Sequence, residues 1–276
     1  TIPCGHCDAC LNMRDRDNLC ENSGIYGLMP EDDHYHFNGW FSDYLVIRKG
    51  STFFKVNDMS LKLRLLIEPA AVVVHAVERA KATGLITFNS NVLIQGVGPI
   101  GLMLLAVVRT MGVENITVVD GDEKRLQMAK RFGAKYTVNF KNYKDLDEEI
   151  RRVKEVTGGR GADFAFQCTG VPSAASNVWK FVKRGGGLAE IGFFVDNGSC
   201  TINPHFDICN KEITMVGSWT YKVSDYPITM DFLKRAVGIG LPIEELVTHE
   251  FPLDQMNEAM DVNMKQLGIK IAYVAK

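Results

Sequence analysis

The stretch Val92-Leu-Ile-Gln-Gly96-Val97-Gly98-Pro99-Ile100-Gly101 constrains this chain more than any other, because an apolar strand runs straight into three spaced glycines and then into a helix. Gly96 permits a tight turn, Gly98 lets the backbone approach a pyrophosphate, and Gly101 allows close helix–strand packing. The helix N-terminus adds free N–H groups and a positive dipole end. Alone, G-x-G-x-x-G is a weak signal that a simple packing turn would also satisfy. Its context strengthens it: a second strand ends at Asp120, 24 residues past Gly96, where a carboxylate can accept hydrogen bonds from both hydroxyls of an adenosine ribose. A dinucleotide site is therefore expected. Asp120 would repel a 2′-phosphate and Asp122 adds a second negative charge, which favours NAD over NADP. Arg125 either reaches the ribose from the start of the next helix or is an ordinary solvated helix residue.

The texture around this motif alternates. Helical patterns at Pro99–Met111, Glu123–Phe132, Lys144–Val156 and Pro172–Val182 are interleaved with apolar strands at Asn91–Gln95, Ile116–Val119, Tyr136–Phe140, Asp163–Gln167, Leu188–Gly192 and Thr214–Gly217. Such alternation predicts an α/β fold, a doubly wound parallel sheet with helices on both faces. An amphipathic helix from Glu68 through Ala82 opens this zone. Residues before about 67 are rich in Cys, Gly, Asp and aromatics and are expected to be irregular and mostly β, with strands at Phe41–Arg48 and Thr52–Val56. After about Trp219, helices at Tyr226–Val237 and Asp254–Lys265 and a strand at Lys270–Val274 suggest a return to the first zone. Expected divisions are 1–75, 76–220 and 221–276.

Cysteine spacing marks a second site. Cys4, Cys7 and Cys10 follow at three-residue steps and Cys20 comes after them; short Cys-x-x-Cys steps let one turn of backbone aim several thiolates at one tetrahedral centre. A bacterial iron–sulfur run would put its fourth cysteine after three residues and follow it with proline, whereas nine residues intervene here and Glu21 follows. Zinc is favoured over a cluster and over four unrelated buried thiols. Four cysteine ligands leave no open position, so the ion is expected to hold a loop together and do no chemistry. A net charge of −2, with no Lys/Arg block longer than two residues, gives no footprint for nucleic acid. No apolar run approaches the roughly 18 residues of a membrane span, and no signal-peptide pattern is seen. Of seven cysteines, Cys168, Cys200 and Cys209 are an odd remainder that suits a reducing compartment. A cytoplasmic protein with no membrane partner is expected. The sequence opens on Thr1-Ile-Pro3 without an initiator methionine, so residues upstream are expected too.

Further runs carry a resemblance. They are Cys4-Gly-His-Cys7 within the cysteine lobe, Gly39-Trp-Phe-Ser-Asp-Tyr44, Glu68-Pro69 with His75 seven residues on, the glycine motif, and Gly161-Ala-Asp-Phe-Ala-Phe-Gln-Cys-Thr-Gly170. Glu190-Ile-Gly192, Glu212-Ile-Thr-Met-Val-Gly-Ser218 and Thr248-His-Glu-Phe-Pro-Leu-Asp254 follow in order. On these the chain resembles the zinc-dependent medium-chain dehydrogenases, in their polyol (sorbitol-like), threonine and secondary-alcohol branch.

The resemblance implies a GroES-like β-barrel catalytic domain, here partly missing, split around the nucleotide-binding domain. Hydride would pass between a secondary alcohol and NAD at a second, catalytic zinc. The family's catalytic cysteine and Gly-His-Glu segment precede the cysteine lobe, so the first two catalytic ligands are expected to lie outside this sequence. Glu68 matches the position where polyol-type members place a carboxylate on the catalytic zinc or its water; otherwise Glu68 is a first-turn helix residue complementing the dipole. The lobe's last gap is two residues longer than the usual family spacing. Cys168, Thr169 and Gly170, at the carboxyl end of a strand, are expected to wall the cofactor cleft, since a nucleophile there would need an adjacent base. His75 reads as a satisfied core histidine before a cleft residue, and His34 and His36 as members of a solvated loop before a metal site or substrate loop. Tyr26, Phe37, Trp40 and Phe41 are weak suggestions for a substrate wall. A small alcohol or polyol is the expected substrate, and a homodimer or homotetramer is expected by analogy. A competing reading is a non-catalytic dinucleotide-binding module with a structural zinc lobe.

Overall fold

The computed structural model describes residues 2–29 and 36–274. Its order is α1 (Asp8–Asn12), α2 (Leu61–Lys81), β1 (Val92–Gln95), α3 (Pro99–Thr110), β2 (Ile116–Asp120), α4 (Glu123–Arg131), β3 (Tyr136–Asn139), α5 (Leu146–Val156), β4 (Ala162–Gln167), α6 (Pro172–Phe181), β5 (Val182–Glu190), β6 (Thr214–Gly217), α7 (Asp225–Gly238), β7 (Val247–Phe251), α8 (Met256–Met264) and β8 (Lys270–Tyr273). The first six strands form one parallel sheet in the order β3-β2-β1-β4-β5-β6. Successive strand residues point to opposite faces, so the sheet sorts its own core. Val92, Ile94, Ile116, Val118, Phe164 and Phe166 pack with α2, α3 and α7 on one side. Leu93, Val119, Val138, Ala165 and Leu188 meet α6 residues on the other. Each large side chain so buried contributes roughly 1.5–3 kcal/mol against exposure.

The chain winds outward from β1 through β2 to β3, then returns to place β4 on β1's other side. At this reversal the loops after β1 and β4 diverge and leave a crevice at the strands' carboxyl ends.

Three expectations are corrected. Phe41–Arg48 and Thr52–Val56 form no strand among the described residues; their polar backbone is met by scattered partners, such as Val46 N–H to Phe37 O (3.2 Å) and Arg48 N–H to the Tyr26 hydroxyl (2.8 Å). A ladder needs a neighbouring strand, and none lies alongside. Helix α2 begins at Leu61 and not Glu68, because the Ser60 hydroxyl accepts from Leu63 N–H (3.2 Å) and starts the helix two turns earlier. Strand β5 starts at Val182, earlier than the apolar run at Leu188, with a register irregularity opposite Ala162–Phe164. A strand not expected, β7, pairs in parallel with β8. No helix among the described residues is long and apolar enough to cross a membrane.

Candidate functional site

The glycine turn has the geometry its spacing requires. Gly96 takes φ +86°, and a Cβ there would stand 2.4 Å from Thr169 Cγ2. A Cβ on Gly101 would stand 1.8 Å from the Gly96 carbonyl oxygen, whereas around Gly98 the space is open. Gly98 is also the N-cap of α3, with Pro99 at its first position. The backbone is thus bare and approachable where free N–H groups and the helix dipole converge. The Asp120 carboxylate accepts from Val97 N–H (2.8 Å) and Asp122 N–H (2.9 Å), which ties the turn to the end of β2.

These residues line a cleft of about 570 Å³. Gln95, Gly96, Gly98 and Asp120 form one wall, Cys168, Thr169 and Gly170 the other, and Arg125 and Gln266 meet across its mouth. Arg125 Nη2 donates to Gln266 Oε1 (3.2 Å). Gln167 Nε2 donates to Thr169 O (2.8 Å), and the Gln167 side-chain oxygen accepts from Thr169 N–H, fixing the loop after β4. Val97, Pro99, Ile100 and Gly101 belong to the same turn but do not line this cleft. A dinucleotide suits the donor set: a bare turn at a helix start for the diphosphate and a carboxylate one strand over for the ribose.

A second cavity of about 590 Å³ adjoins it. Pro99, Ile100 and Cys168 face this one, together with Glu68, Phe41, Phe194, Trp219, Tyr221, Met260 and Tyr273. Phe194 stacks on Trp219 with centroids 5.2 Å apart. Glu68 sits in the third turn of α2, so its role as a first-turn dipole partner does not hold. Burial first, then the charge of Glu68 and the neighbouring Tyr226, with a hydrogen bond to Glu68 adding least, push the Tyr221 hydroxyl well above its usual range. Burial, then the charge of Glu190, likewise raises the Cys168 thiol, which stays protonated and is no nucleophile. Glu190 itself is pushed up to about 7 by burial, while accepting from Gly192 N–H (2.8 Å).

The four lobe cysteines converge, their sulfurs all within 4.8 Å of one another. Cys4 and Cys10 Sγ lie 4.0 Å apart and Cys7 and Cys20 3.9 Å, with no disulfide among them. A tetrahedral zinc with about 2.3 Å bonds needs sulfurs about 3.8 Å apart, so the residues fit the ion. The backbone N–H of His6, with smaller help from that of Cys7, favours the Cys4 thiolate. The long last gap is taken up by the turn Asp17–Leu19, which returns Cys20 to the cluster. No other group of three ligand-type side chains comes together among the described residues. Glu68 therefore does not by itself make a catalytic zinc site among the described residues.

His75 is buried, its Nδ1 2.8 Å from Asp225 and its Nε2 3.4 Å from Asn18 Nδ2, at the seam between α2, α7 and the lobe. It is a core residue and lines no cleft. His36 is exposed, with its carbonyl accepting from Arg48 (3.2 Å); His34 lies outside the described residues. Of the four aromatic suggestions, Phe41 lines the second cavity. Tyr26 instead bonds Ser51 (2.7 Å), and Phe37 and Trp40 line a separate surface groove. Phe194, Trp219, Tyr221 and Tyr273 were not legible as wall residues, since no local pattern distinguishes them from core aromatics; Trp219 and Tyr221 directly follow the run ending at Ser218.

Similarity to known proteins agrees with this geometry. The zinc-binding dehydrogenase family model matches residues 99–235. Sorbitol dehydrogenase of Bacillus subtilis is 33% identical over 260 residues, covering 94% of this chain and 67% of that protein. L-idonate 5-dehydrogenase of Vitis vinifera is 28% identical, covering 96% and 68%. Among solved structures, an alcohol dehydrogenase of Thermotoga maritima superposes with a TM-score of 0.89 at 26% identity, over the whole of this chain and 74% of its own. A sheet reversal with a glycine turn, a four-cysteine lobe and relatives of this kind have one common source: the chain belongs to the zinc-dependent medium-chain dehydrogenases, on their polyol and threonine dehydrogenase branch.

Proposed function

We propose that this protein moves a hydride between a polar secondary alcohol and NAD, with the dinucleotide in the cleft beside β1 and β4 and the alcohol in the adjoining cavity. The observation that carries this reading is the shared wall: Cys168 faces both spaces. A dinucleotide lying on the glycine turn would present one end where an alcohol in the apolar cavity can reach it. Hydride acceptance is the chemistry the nicotinamide supplies when bound. The chain's own residues bind and orient. Glu68 accepts a hydrogen bond from a substrate hydroxyl, Tyr221 holds that carboxylate, and Phe194, Trp219 and Tyr273 keep water from the reacting carbon. A carboxylate in the cavity suits a hydroxyl-rich substrate better than an alkyl one. Asp120 and Asp122, with no arginine directly after β2, favour NAD over NADP.

The lobe would hold one structural zinc through Cys4, Cys7, Cys10 and Cys20. Residues 1–75 and 221–276 would make one domain around a nucleotide domain of 76–220, supported by the hydrogen bonds of Asp15 with Lys222 and Ser224. The exposed edge strand β6, with Met215 turned outward, supports pairing of two sheets in a homodimer or tetramer. Free cysteines support a cytoplasmic location. The test is nucleotide titration followed by a steady-state screen of diols, sugar alcohols, threonine and simple alcohols. NAD should bind at least about tenfold tighter than NADP and support turnover of a polar secondary alcohol. Preference for long alkyl alcohols would overturn the substrate reading. Tight NAD binding without turnover of any alcohol would favour the non-catalytic module, for which the lone Glu68 speaks.

A further inference from the structure

Glu149 stands in the first turn of α5 with only 7% of its surface exposed. Among the described residues its carboxyl has neither a hydrogen-bond donor nor an ion-pair partner. Its oxygens still reach solvent, but a carboxyl so largely buried favours its uncharged form and a hydrogen-bonding partner. Yet it is not sealed in the core: it lines the dinucleotide cleft, at the end where Phe140 and Lys141 follow β3 and Ser173, Ala174 and Asn177 come from α6.

Position along the cleft assigns what lies there. The sheet order is β3-β2-β1-β4. Gly98 follows β1, Asp120 ends β2, and Phe140 follows β3, so phosphate, ribose and base succeed one another outward across the strand ends. Phe140 packs against Gly121, where a Cβ would stand 2.5 Å from its ring. Beyond Asp120 the cleft is thus lined by the Phe140 ring, small α6 side chains and Glu149. Burial pushes this carboxyl up to about 7, so near neutral pH a large share carries its proton. A protonated carboxyl offers one donor and one acceptor side by side. Adenine offers the complement, an exocyclic N–H donor beside a ring-nitrogen acceptor.

We propose that Glu149 reads the base of the bound dinucleotide, its carboxyl meeting the amino edge of adenine at the far end of the cleft; this rests on the dinucleotide reading of that cleft. Lys141, Asp122 and Arg125 also line the cleft, and none is paired with Glu149. The remaining members of the set would hold phosphate and ribose whatever the base.

The intact protein and its Glu149→Gln and Glu149→Met variants would be titrated near neutral pH with AMP and with purine riboside 5′-monophosphate, which lacks the amino group. Wild type should prefer AMP by about tenfold. Glu149→Gln, whose amide keeps a donor and an acceptor, should retain the preference. Glu149→Met should lose it and bind the two nucleotides alike, with folding checked by thermal unfolding. An unchanged preference in Glu149→Met, or none in wild type, overturns the proposal while leaving the dinucleotide reading intact. If wild type binds neither AMP nor NAD, the dinucleotide reading itself falls and the proposal with it.

Discussion

Two glycines of one motif fail in different ways. At Gly101 a Cβ meets backbone, the Gly96 carbonyl, 1.8 Å away; Gly101→Ala is therefore expected to cost about 2–4 kcal/mol, since the clash is with main chain that cannot rotate aside. At Gly98 the φ of −69° and the empty surroundings suit alanine. Gly98→Ala should leave stability within about 0.5 kcal/mol and yet weaken NAD binding at least about tenfold, because the methyl fills the diphosphate's approach. Thermal unfolding and nucleotide titration on both variants check the split. Glu149 gives a second residue-level expectation. Its carboxyl rises from 4.5 to about 7 on folding. Between those values the unfolded chain has lost the proton that the folded chain keeps, so stability falls as pH rises through this window and is level above it. Glu149→Gln should be more stable than wild type by a margin that grows from pH 4.5 to 7, on the order of 1–2 kcal/mol once screening through the open cleft is allowed for.

Elements were legible where local and global signals agreed. The alternation from β1 to β6 was written in apolar strands and amphipathic helices, and the sheet follows it. At α2 the signals disagreed. The expected start at Glu68 lies two turns inside the helix, next to an internal Pro69, and the true N-cap is Ser60. Ser60→Ala should cost about 1 kcal/mol, a fall in Tm of roughly 2–4 °C by calorimetry. The aromatic runs at 41–48 and 52–56 have strand-like composition, but strand formation depends on a partner strand, which no single segment encodes. The glycine turn and cysteine lobe were legible because chemistry fixes their spacing. The wall of Phe194, Trp219 and Tyr273 was not, because it assembles from loops far apart in sequence.

At the scale of the molecule, the lobe and the second cavity are joined. Asn18 donates to Trp219 O (2.8 Å), Lys222 and Ser224 donate to Asp15 (2.6 and 2.8 Å), and Val223 N–H donates to Asp17 (3.1 Å). The loop so held carries Trp219 and Tyr221 of the cavity wall, while the dinucleotide cleft touches none of it. On the proposed reading, stripping a zinc from the four-cysteine lobe with a chelator should raise KM for the alcohol several-fold while NAD affinity, read by fluorescence titration, changes by less than about twofold. Retained KM after verified zinc loss would sink the coupling.

Those same ties join residues about 200 positions apart, 201 for Asn18 with Trp219 and 209 for Asp15 with Ser224. Contacts of such long sequence separation carry a large loop-closure cost, so they are expected to close after the more local pairings of the parallel sheet between them. Until those ties close, the four thiols of residues 4–20 are expected to stand without the packing of the 219–224 loop against their lobe, each able to pair wrongly in air. Recovery from denaturant should depend on reductant and zinc being present during refolding, and adding both only afterwards should not restore the lost yield.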